Sequence, residues 1–238
     1  MRLNILITTT RFTSLTGLIL LVSGCALLPF GKQGSTYPFQ TTDQILQAYT
    51  QHTQKLDEFN NWVITGRIGV KGPEGAFSGS FKWIQLQDTF SITVSGPLGQ
   101  GATTVQGDKL EATLTNGQTG EISWGKPQTL MNQALGWSLP MQHIQQWIKG
   151  HPGEEMANVR IRKGKEVIFY NYAPKTDLRL NKENALALLK NGNWRIEYNK
   201  YKPFENKVYN VSLPHKVIAS NKSLTLTFII KNWSKPTP

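Results

Sequence analysis

Much of the chain alternates between apolar and polar residues with a period of two. This alternation is typical of β-strands that bury one face and expose the other. The first run extends from Trp62 to Val70, and a turn follows it at 71–75. Similar runs cover 77–83, 90–94, 110–114, 159–162, 166–172, 194–198, 216–219 and 223–232. Because turn residues separate these runs, the pattern predicts an antiparallel meander with one apolar face.

Three segments have the spacing of amphipathic helices. The first, 41–59, precedes the alternation, and two shorter ones, 127–135 and 140–149, interrupt it. Pro140 suits the first turn of the last helix, and Gly150 suits its end. The sequence therefore predicts a few short helices packed on the apolar face of the sheet.

The segment 181–190 is ambiguous, because its alanines and leucines also suit a helix. However, Asn191-Gly192 is a strong two-residue hairpin signal, and alternation resumes after it. We therefore expect a hairpin that begins at about Ala187.

These elements predict a mainly β fold in one domain, residues 41–238, with neither an internal repeat nor a second domain. A sheet of about ten strands does not stay open and flat, so it should curve strongly toward a barrel. Short helices would leave part of its concave face uncovered. The pattern alone is compatible with either an apolar ligand cavity or a filled core.

The first 24 residues have the layout of a secretory signal. Arg2 and Arg11 flank the start of a short apolar stretch, which reaches Val22 and is too short to span a membrane. The stretch ends in Val-Ser-Gly followed by Cys25, which matches the bacterial lipobox. Cys25 is the single cysteine of the chain, so it has no partner for an internal disulfide. We predict cleavage of residues 1–24 and lipid attachment at Cys25; an ordinary secreted protein is the alternative.

The residues after the lipobox indicate where the protein resides. Ala26 stands where an aspartate usually retains a lipoprotein in the inner membrane, which favours the periplasmic face of the outer membrane. Residues 25–40 are rich in Gly, Pro, Ser and Thr, so they predict a lipidated flexible tether. The chain has a net charge of +11. Export excludes nucleic acid and leaves an anionic membrane, an acidic protein partner or merely a basic surface.

The sequence contains no arrangement typical of catalysis. Its four histidines, His52, His143, His151 and His215, are not in a zinc-ligand spacing. Neither a Gly-x-Ser-x-Gly elbow nor a phosphate-binding loop is present. We therefore predict no catalytic residue, no metal and no cofactor; a lipid-modifying enzyme is the less favoured alternative.

A tight turn at 95–101 carries a leucine that its neighbours are too small to cover. Pro97 and the glycines around Leu98 enforce the turn. A single exposed leucine is usually unremarkable. On a protein tethered to a membrane, Leu98 would be placed to dip into lipid.

The order and spacing of these landmarks resemble the LolB family, outer-membrane lipoproteins that receive other lipoproteins and insert them into that membrane. The matching motifs are the Cys25 lipobox, Trp62-x-x-x-Gly66-Arg67-Ile68, Pro97-Leu98-Gly99, Gly136-Trp137-x-Leu139-Pro140, Trp147-x-x-Gly150-x-Pro152-Gly153, Trp194-x-Ile196-x-Tyr198-x-x-Tyr201, Leu213-Pro214 and Trp233. They cover nearly the whole chain. One departure is 177–190, which looks longer and more helical than the family pattern.

The resemblance implies an incomplete barrel of about eleven antiparallel strands, closed by short α-helices over an apolar cavity that holds acyl chains. It implies that Leu98 inserts into the membrane. The implied partners are a LolA-type periplasmic carrier loaded with lipoprotein, the client lipoproteins and outer-membrane phospholipid, and the protein would act as a monomer. Its rival is a lipid-binding scaffold lipoprotein without transfer activity.

Inward-facing residues of the predicted strands and helices are assigned to the lining of this cavity. On the sheet these are Trp62, Ile64, Ile68, Phe81, Trp83, Ile92 and Val94. Under the helical lid they are Leu130, Met131, Ile144, Trp147 and Ile148. The flexible thioethers of Met131 and Met141 would adapt to chains of varied shape. Plain core packing is the alternative for each of them.

Overall fold

The computed structural model describes residues 42–73, 75–99, 101–135, 140–153, 160–161, 168–170, 176–181, 185–205 and 209–237. The predicted signal segment, Cys25, the tether and the 136–139 link lie outside these residues. The chain divides into two compact units, 1–39 and 40–238, and every described residue belongs to the second.

Thirteen strands form one curved, unclosed sheet in the order β6-β5-β4-β3-β2-β1-β13-β12-β11-β10-β9-β8-β7. Their bounds are β1 Asn61–Gly72, β2 Gly75–Leu86, β3 Thr89–Ser95, β4 Thr103–Gly107, β5 Ala112–Asn116, β6 Ile122–Gly125, β7 Arg160–Ile161, β8 Ile168–Tyr170, β9 Thr176–Leu180, β10 Leu186–Asn191, β11 Trp194–Glu205, β12 Asn210–Ser220 and β13 Thr225–Ser234. Every described pairing is antiparallel. The predicted mainly β class is confirmed.

The helices are α1 Thr42–Glu58, α2 Pro127–Leu135 and α3 Met141–Ile148. All three fall within the segments that the spacing predicts. Helix α1 contacts β12, while α2 contacts β4, β5 and β6. Both halves of the sheet therefore carry helical cover on their apolar side.

The sheet has thirteen strands, whereas the resemblance implies about eleven and the alternation, with the arm that begins at about Ala187, gives ten. The alternation misses β4, β6 and β9, which contain only four or five residues each. A period of two is hard to recognise over so short a run. Strand β6 adds an edge to the sheet, and β4 and β9 lie between predicted strands.

Two local predictions are wrong in detail. The hairpin after β10 turns at Gly192-Asn193, one residue later than expected, because Asn191 pairs with Trp194. Leu110 lies in a turn instead of a strand, with 78% of its surface exposed. The Asp108 carboxylate accepts hydrogen bonds from the backbone N–H groups of Leu110 and Glu111, which favours a local turn over strand pairing.

The described part of 177–190 is strand rather than helix, since it forms the end of β9 and most of β10. Leu186 and Leu189 of β10 are fully buried in the core. Burial of these leucines on a paired strand outweighs the intrinsic helix propensity of the alanines and leucines.

β1 and β13 join the two arms at the centre of the sheet. A register shift between Thr65 and Gly66 interrupts their ladder. A Cβ atom on Gly66 would lie 2.1 Å from the Ile229 carbonyl oxygen. Glycine is therefore needed for the two strands to approach so closely.

An aromatic cluster fills the core where α1 meets these central strands. Phe59 packs against Tyr209 with the ring centroids 4.9 Å apart, and Trp62 packs against Trp83 at 5.2 Å and Trp233 at 5.5 Å. The indole N–H of Trp233 donates to the Pro214 carbonyl at 3.0 Å, so this buried polar group is satisfied.

Candidate functional site: an apolar lidded cavity and an exposed turn

Helices α2 and α3 cover the concave face of β1, β2, β3 and β13. Between helices and sheet lies an apolar cavity of about 20 Å³. That volume holds about one water molecule, so an acyl chain would enter only after the helices move away from the sheet. The residues lining it are Ile68, Phe81, Trp83, Ile92, Val94, Met131, Met141, Ile144 and Phe228.

All twelve residues assigned to the lining are buried. Seven of them lie around the cavity: Ile68, Phe81, Trp83, Ile92, Val94, Met131 and Ile144. The other five, Trp62, Ile64, Leu130, Trp147 and Ile148, are buried in the surrounding core instead. In the described conformation these five act as packing residues.

Phe228 lines the cavity although the sequence does not predict it there. Phe228 faces inward in the alternation of the last strand, but the sequence does not reveal that β13 pairs with β1. Its ring packs edge-on against Phe81, with the centroids 5.6 Å apart. Met141 has the expected flexibility, and the position of α3 brings it to the cavity.

One hydrogen bond and two aromatic contacts hold α3 in place. At its start, the Met141 backbone N–H donates to the Gln128 side-chain oxygen of α2 at 3.0 Å. Along α3, Trp147 stacks on His143 and packs against Trp194 of β11. Opening the cavity would therefore involve α2 and α3 together.

Beyond the end of α3, a buried lysine connects it to α1. Lys149 is only 2% exposed. Its ammonium donates to the carbonyl oxygens of Leu56 at 2.5 Å and Phe59 at 3.2 Å. These carbonyls lie at the end of α1, where helix carbonyls lack intrahelical partners. Burial lowers the pKa of Lys149 to about 8, and the negative charge of Asp57 partly opposes this effect.

His151 is buried close to this lysine, and the half-buried His52 lies close to His151. Burial lowers the pKa of His52 to about 4, and the positive charge of Lys55 adds to the effect. Burial likewise lowers the pKa of His151 to about 4, with further lowering by Lys149 and His52. Both imidazoles are therefore neutral at neutral pH.

The hydrogen bonds of His151 define its tautomer. Its Nδ1 accepts from the Gly153 backbone N–H at 3.0 Å, so the ring proton lies on Nε2. Nε2 faces Asp57 Oδ1 at 3.1 Å, without the alignment of a hydrogen bond. Among the described residues, no cluster of three or more His, Cys, Asp or Glu side chains could hold a metal ion.

A wider groove of about 760 Å³ lies beside Lys149, between the end of α1, helix α3 and the turn after β2. Its lining is polar and includes Asp57, Gln85, Gln146 and Lys149. Acyl chains require an apolar lining, so this groove does not suit them.

The turn after β3 presents Leu98 to solvent with 98% of its surface exposed. The Gly99 N–H donates to the Gly96 carbonyl at 3.2 Å and closes a four-residue turn with Pro97 at its second position. Leu98 occupies the third position with φ 61° and ψ 17°. A type II turn normally has glycine there, because a Cβ atom disfavours this left-handed conformation.

None of the described helices is both long and apolar enough to cross a membrane.

Comparisons with known proteins agree on one family. A family profile described as "Outer membrane lipoprotein LolB" matches residues 60–233. A protein named outer-membrane lipoprotein LolB in Pseudomonas savastanoi pv. phaseolicola is 31% identical over 91% of this chain and 92% of its own. A protein of the same name in Pseudomonas fluorescens is 30% identical over 90% and 91% of the two chains.

Solved structures share the fold at low sequence identity. A LolA superfamily protein from Nitrosomonas europaea aligns with a TM-score of 0.50 at 8% identity, over 80% of this chain and 94% of the other. A DUF1329 family protein from Desulfovibrio piger aligns with a TM-score of 0.51 at 8% identity, over 81% and 93%. At such identity these similarities concern the fold alone.

Proposed function

This chain belongs to the LolB family of outer-membrane lipoproteins, and on that basis we propose that it receives lipoproteins from a LolA-type periplasmic carrier and inserts them into the inner leaflet of the outer membrane. The family membership and the shared fold support a role in sorting lipoproteins to the outer membrane. The steps of that role, its anchor at Cys25 and its action as a monomer on the periplasmic face are the proposal.

The chemistry of the cargo determines what such a protein has to do. At about 0.8 kcal/mol per buried methylene, releasing three acyl chains with roughly 40 methylenes into water would cost on the order of 30 kcal/mol. The chains must therefore pass directly from one apolar environment to the next. No nucleotide hydrolysis is required if each environment, with the bilayer last, holds the chains better than the one before.

The observation that carries the proposal is the wholly apolar lining of the lidded cavity. Its nine lining residues bear aliphatic, thioether or aromatic side chains, and the Trp83 indole N–H is satisfied by Gln85 at 3.1 Å. Such a lining suits an acyl chain and offers no acid, base or nucleophile for a reaction on it. In the proposed cycle, α2 and α3 move off the sheet as cargo enters, and Leu98 then contacts the leaflet that receives it.

The experiment follows a radiolabelled lipoprotein from its carrier to this protein and then to outer-membrane vesicles. Leu98→Glu should accept cargo like the native protein but fail to insert it. Leu110→Glu is the matched control, since Leu110 is also an exposed leucine in a turn but lies at the opposite end of β4; it should insert normally.

The rival scaffold role predicts other results. A scaffold would accept no cargo from the carrier, and its lipid binding would be the same with Leu98 or Glu at this position. Failure of the native protein to accept cargo would therefore overturn the proposal and leave the scaffold as the better account.

A further inference from the structure

The edge strand β6 exposes two large apolar side chains. Ile122 is 55% exposed and Trp124 is 79% exposed, and both point away from the concave face. The inward positions of β6 carry the small residues Ser123 and Gly125. Most tryptophans bury their indole in a core or an interface, so Trp124 stands out on a strand that has no role in the lidded cavity.

The strand register places Ile122 at the end of the sheet where Leu98 lies. Ile122 pairs with Thr115, which pairs with Thr104. The turn after β5 lies beside the residue that links the Leu98 turn to β4, because the Gly117 N–H donates to the Ala102 carbonyl at 2.7 Å. Three strand spacings of about 4.8 Å separate β3 from β6, so the two apolar sites are roughly 14 Å apart across the sheet.

The strand register gives the distance of the two β6 residues from the Leu98 turn. Trp124 is level with Ser91, and Ile122 lies two residues nearer the turn. Trp124 is therefore four residues, or about 13 Å, from Ser95, where β3 ends before the turn. Because a headgroup region is roughly 5–7 Å thick, Trp124 reaches the headgroups, which tryptophan prefers, when the sheet leans toward the bilayer on its β6 edge.

The charges on the outer face of β1–β6 have one sign. Outward positions of these strands carry Arg67, Lys71 and Lys82 and no acidic residue. The described acidic residues of this arm lie in turns: Asp88, Asp108, Glu111 and Glu121. The face is therefore complementary to an anionic lipid surface.

We propose that Trp124 and Ile122 form a second membrane contact beside Leu98, with the Trp124 indole among the headgroups of an anionic bilayer. This inference deepens the proposed function, because it adds the surface that orients the protein while Leu98 is inserted. Two contacts roughly 14 Å apart fix the tilt of the sheet relative to the bilayer, whereas one contact leaves the sheet free to pivot.

The test uses the full lipidated chain in vesicles of phosphatidylethanolamine and phosphatidylglycerol that contain brominated phospholipid. Bromine quenches only those tryptophans that contact lipid. The native protein should lose a component of its emission, and Trp124→Phe should lose that quenchable component. Trp194→Phe is the control, since Trp194 packs against Trp147, and it should be quenched like the native protein.

Equal quenching of the native protein and Trp124→Phe would overturn the inference. A second result would also overturn it: the carrier protein shields Trp124 from iodide, while brominated lipid does not quench it. This face would then bind a protein.

The cargo assay with Leu98→Glu separates this inference from the proposed function. If Trp124 is unquenched while Leu98→Glu blocks insertion, the inference fails and the function stands. If Trp124 is quenched while Leu98→Glu inserts cargo normally, the membrane contact stands and the role of Leu98 fails.

Discussion

At the scale of single residues, the backbone of Leu98 is strained where its side chain is most exposed. A non-glycine residue in the left-handed region costs roughly 1–3 kcal/mol, and a fully exposed leucine gains nothing from burial. The fold therefore retains an unfavourable conformation that positions an apolar side chain outside the protein. This combination is expected of a residue that acts on something beyond its own chain.

We expect Leu98→Gly to raise the free energy of unfolding by about 0.5–1 kcal/mol, because glycine adopts φ 61° without strain. The same variant should lose insertion of cargo. Urea denaturation measures the first effect, and the cargo assay measures the second. A variant that is less stable than the native protein would show that the strain argument is wrong.

The histidines near Lys149 predict a loss of stability in acid. Because the pKa of His52 and of His151 is about 4 in the folded state and about 6.5 when unfolded, the unfolded chain binds protons first as the pH falls. Stability is fully present above pH 6.5 and declines toward pH 4, by roughly 3 kcal/mol per histidine.

Urea midpoints between pH 7.5 and 4 measure this decline. The double substitution His52→Gln and His151→Gln should flatten the curve in that window. Parallel curves for the native and substituted proteins would mean that these histidines are not the source of the decline.

At the scale of elements, helices α1 and α3 are joined by the buried Lys149 ammonium. This ammonium donates to two carbonyls at the end of α1, those of Leu56 and Phe59, and the Leu56 carbonyl also accepts from the Phe59 N–H at 3.2 Å. Helix α3 also forms one side of the cavity. The same residue therefore fixes α1 on the sheet and limits how the end of α3 moves.

Lys149→Met should lower the free energy of unfolding by about 1–2 kcal/mol, because the Phe59 carbonyl loses its ammonium donor and the Leu56 carbonyl keeps only the Phe59 N–H. Relief from burying a charge offsets part of that loss. Thermal or urea unfolding measures the change. Lys109→Met is the control: Lys109 forms an exposed ion pair with Asp88 at 2.7 Å, and its loss should change stability by less than about 1 kcal/mol.

Ile144 separates the effect of the cavity from that of the core. Ile144→Ala removes volume from the cavity wall, so a fluorescent fatty acid should bind more tightly while stability falls by roughly 2–4 kcal/mol. Leu226→Ala should cost a similar amount without tighter binding, since Leu226 is buried but does not line the cavity. Equal fatty-acid affinity in both variants would show that the cavity is not the binding site.

The sequence predicts strongly patterned elements well and short or isolated ones poorly. Helix α2 has the predicted bounds, and the inward faces of β1 and β3 are buried as expected. The lining could be predicted only in part, because it depends on which strands become neighbours and on how closely α3 approaches the sheet. Phe228 is therefore a lining residue that the sequence does not predict, and Trp147, which is predicted to line the cavity, packs against Trp194 instead.

At the scale of the whole molecule, net charge influences how partners approach: it is +11 for the full chain and would be +9 once cleavage removes Arg2 and Arg11. Complementary charge accelerates encounter and is screened by salt. If the basic surface guides the carrier, the association rate with loaded carrier should fall several-fold between low and physiological salt, with a smaller change in the dissociation rate. Stopped-flow measurements would show this, and a rate independent of salt would exclude such guidance.

The closed cavity has a consequence for release. Met131, Met141, Ile144 and Phe228 occupy space that an acyl chain would need, so the protein's own side chains compete with cargo as an internal ligand would. Each tenfold decrease in the population of the open conformer weakens the apparent binding free energy of an acyl chain by about 1.4 kcal/mol. In the proposed cycle, the same re-closure would favour departure of the chains, because the emptied interior regains its contacts as the bilayer takes the cargo.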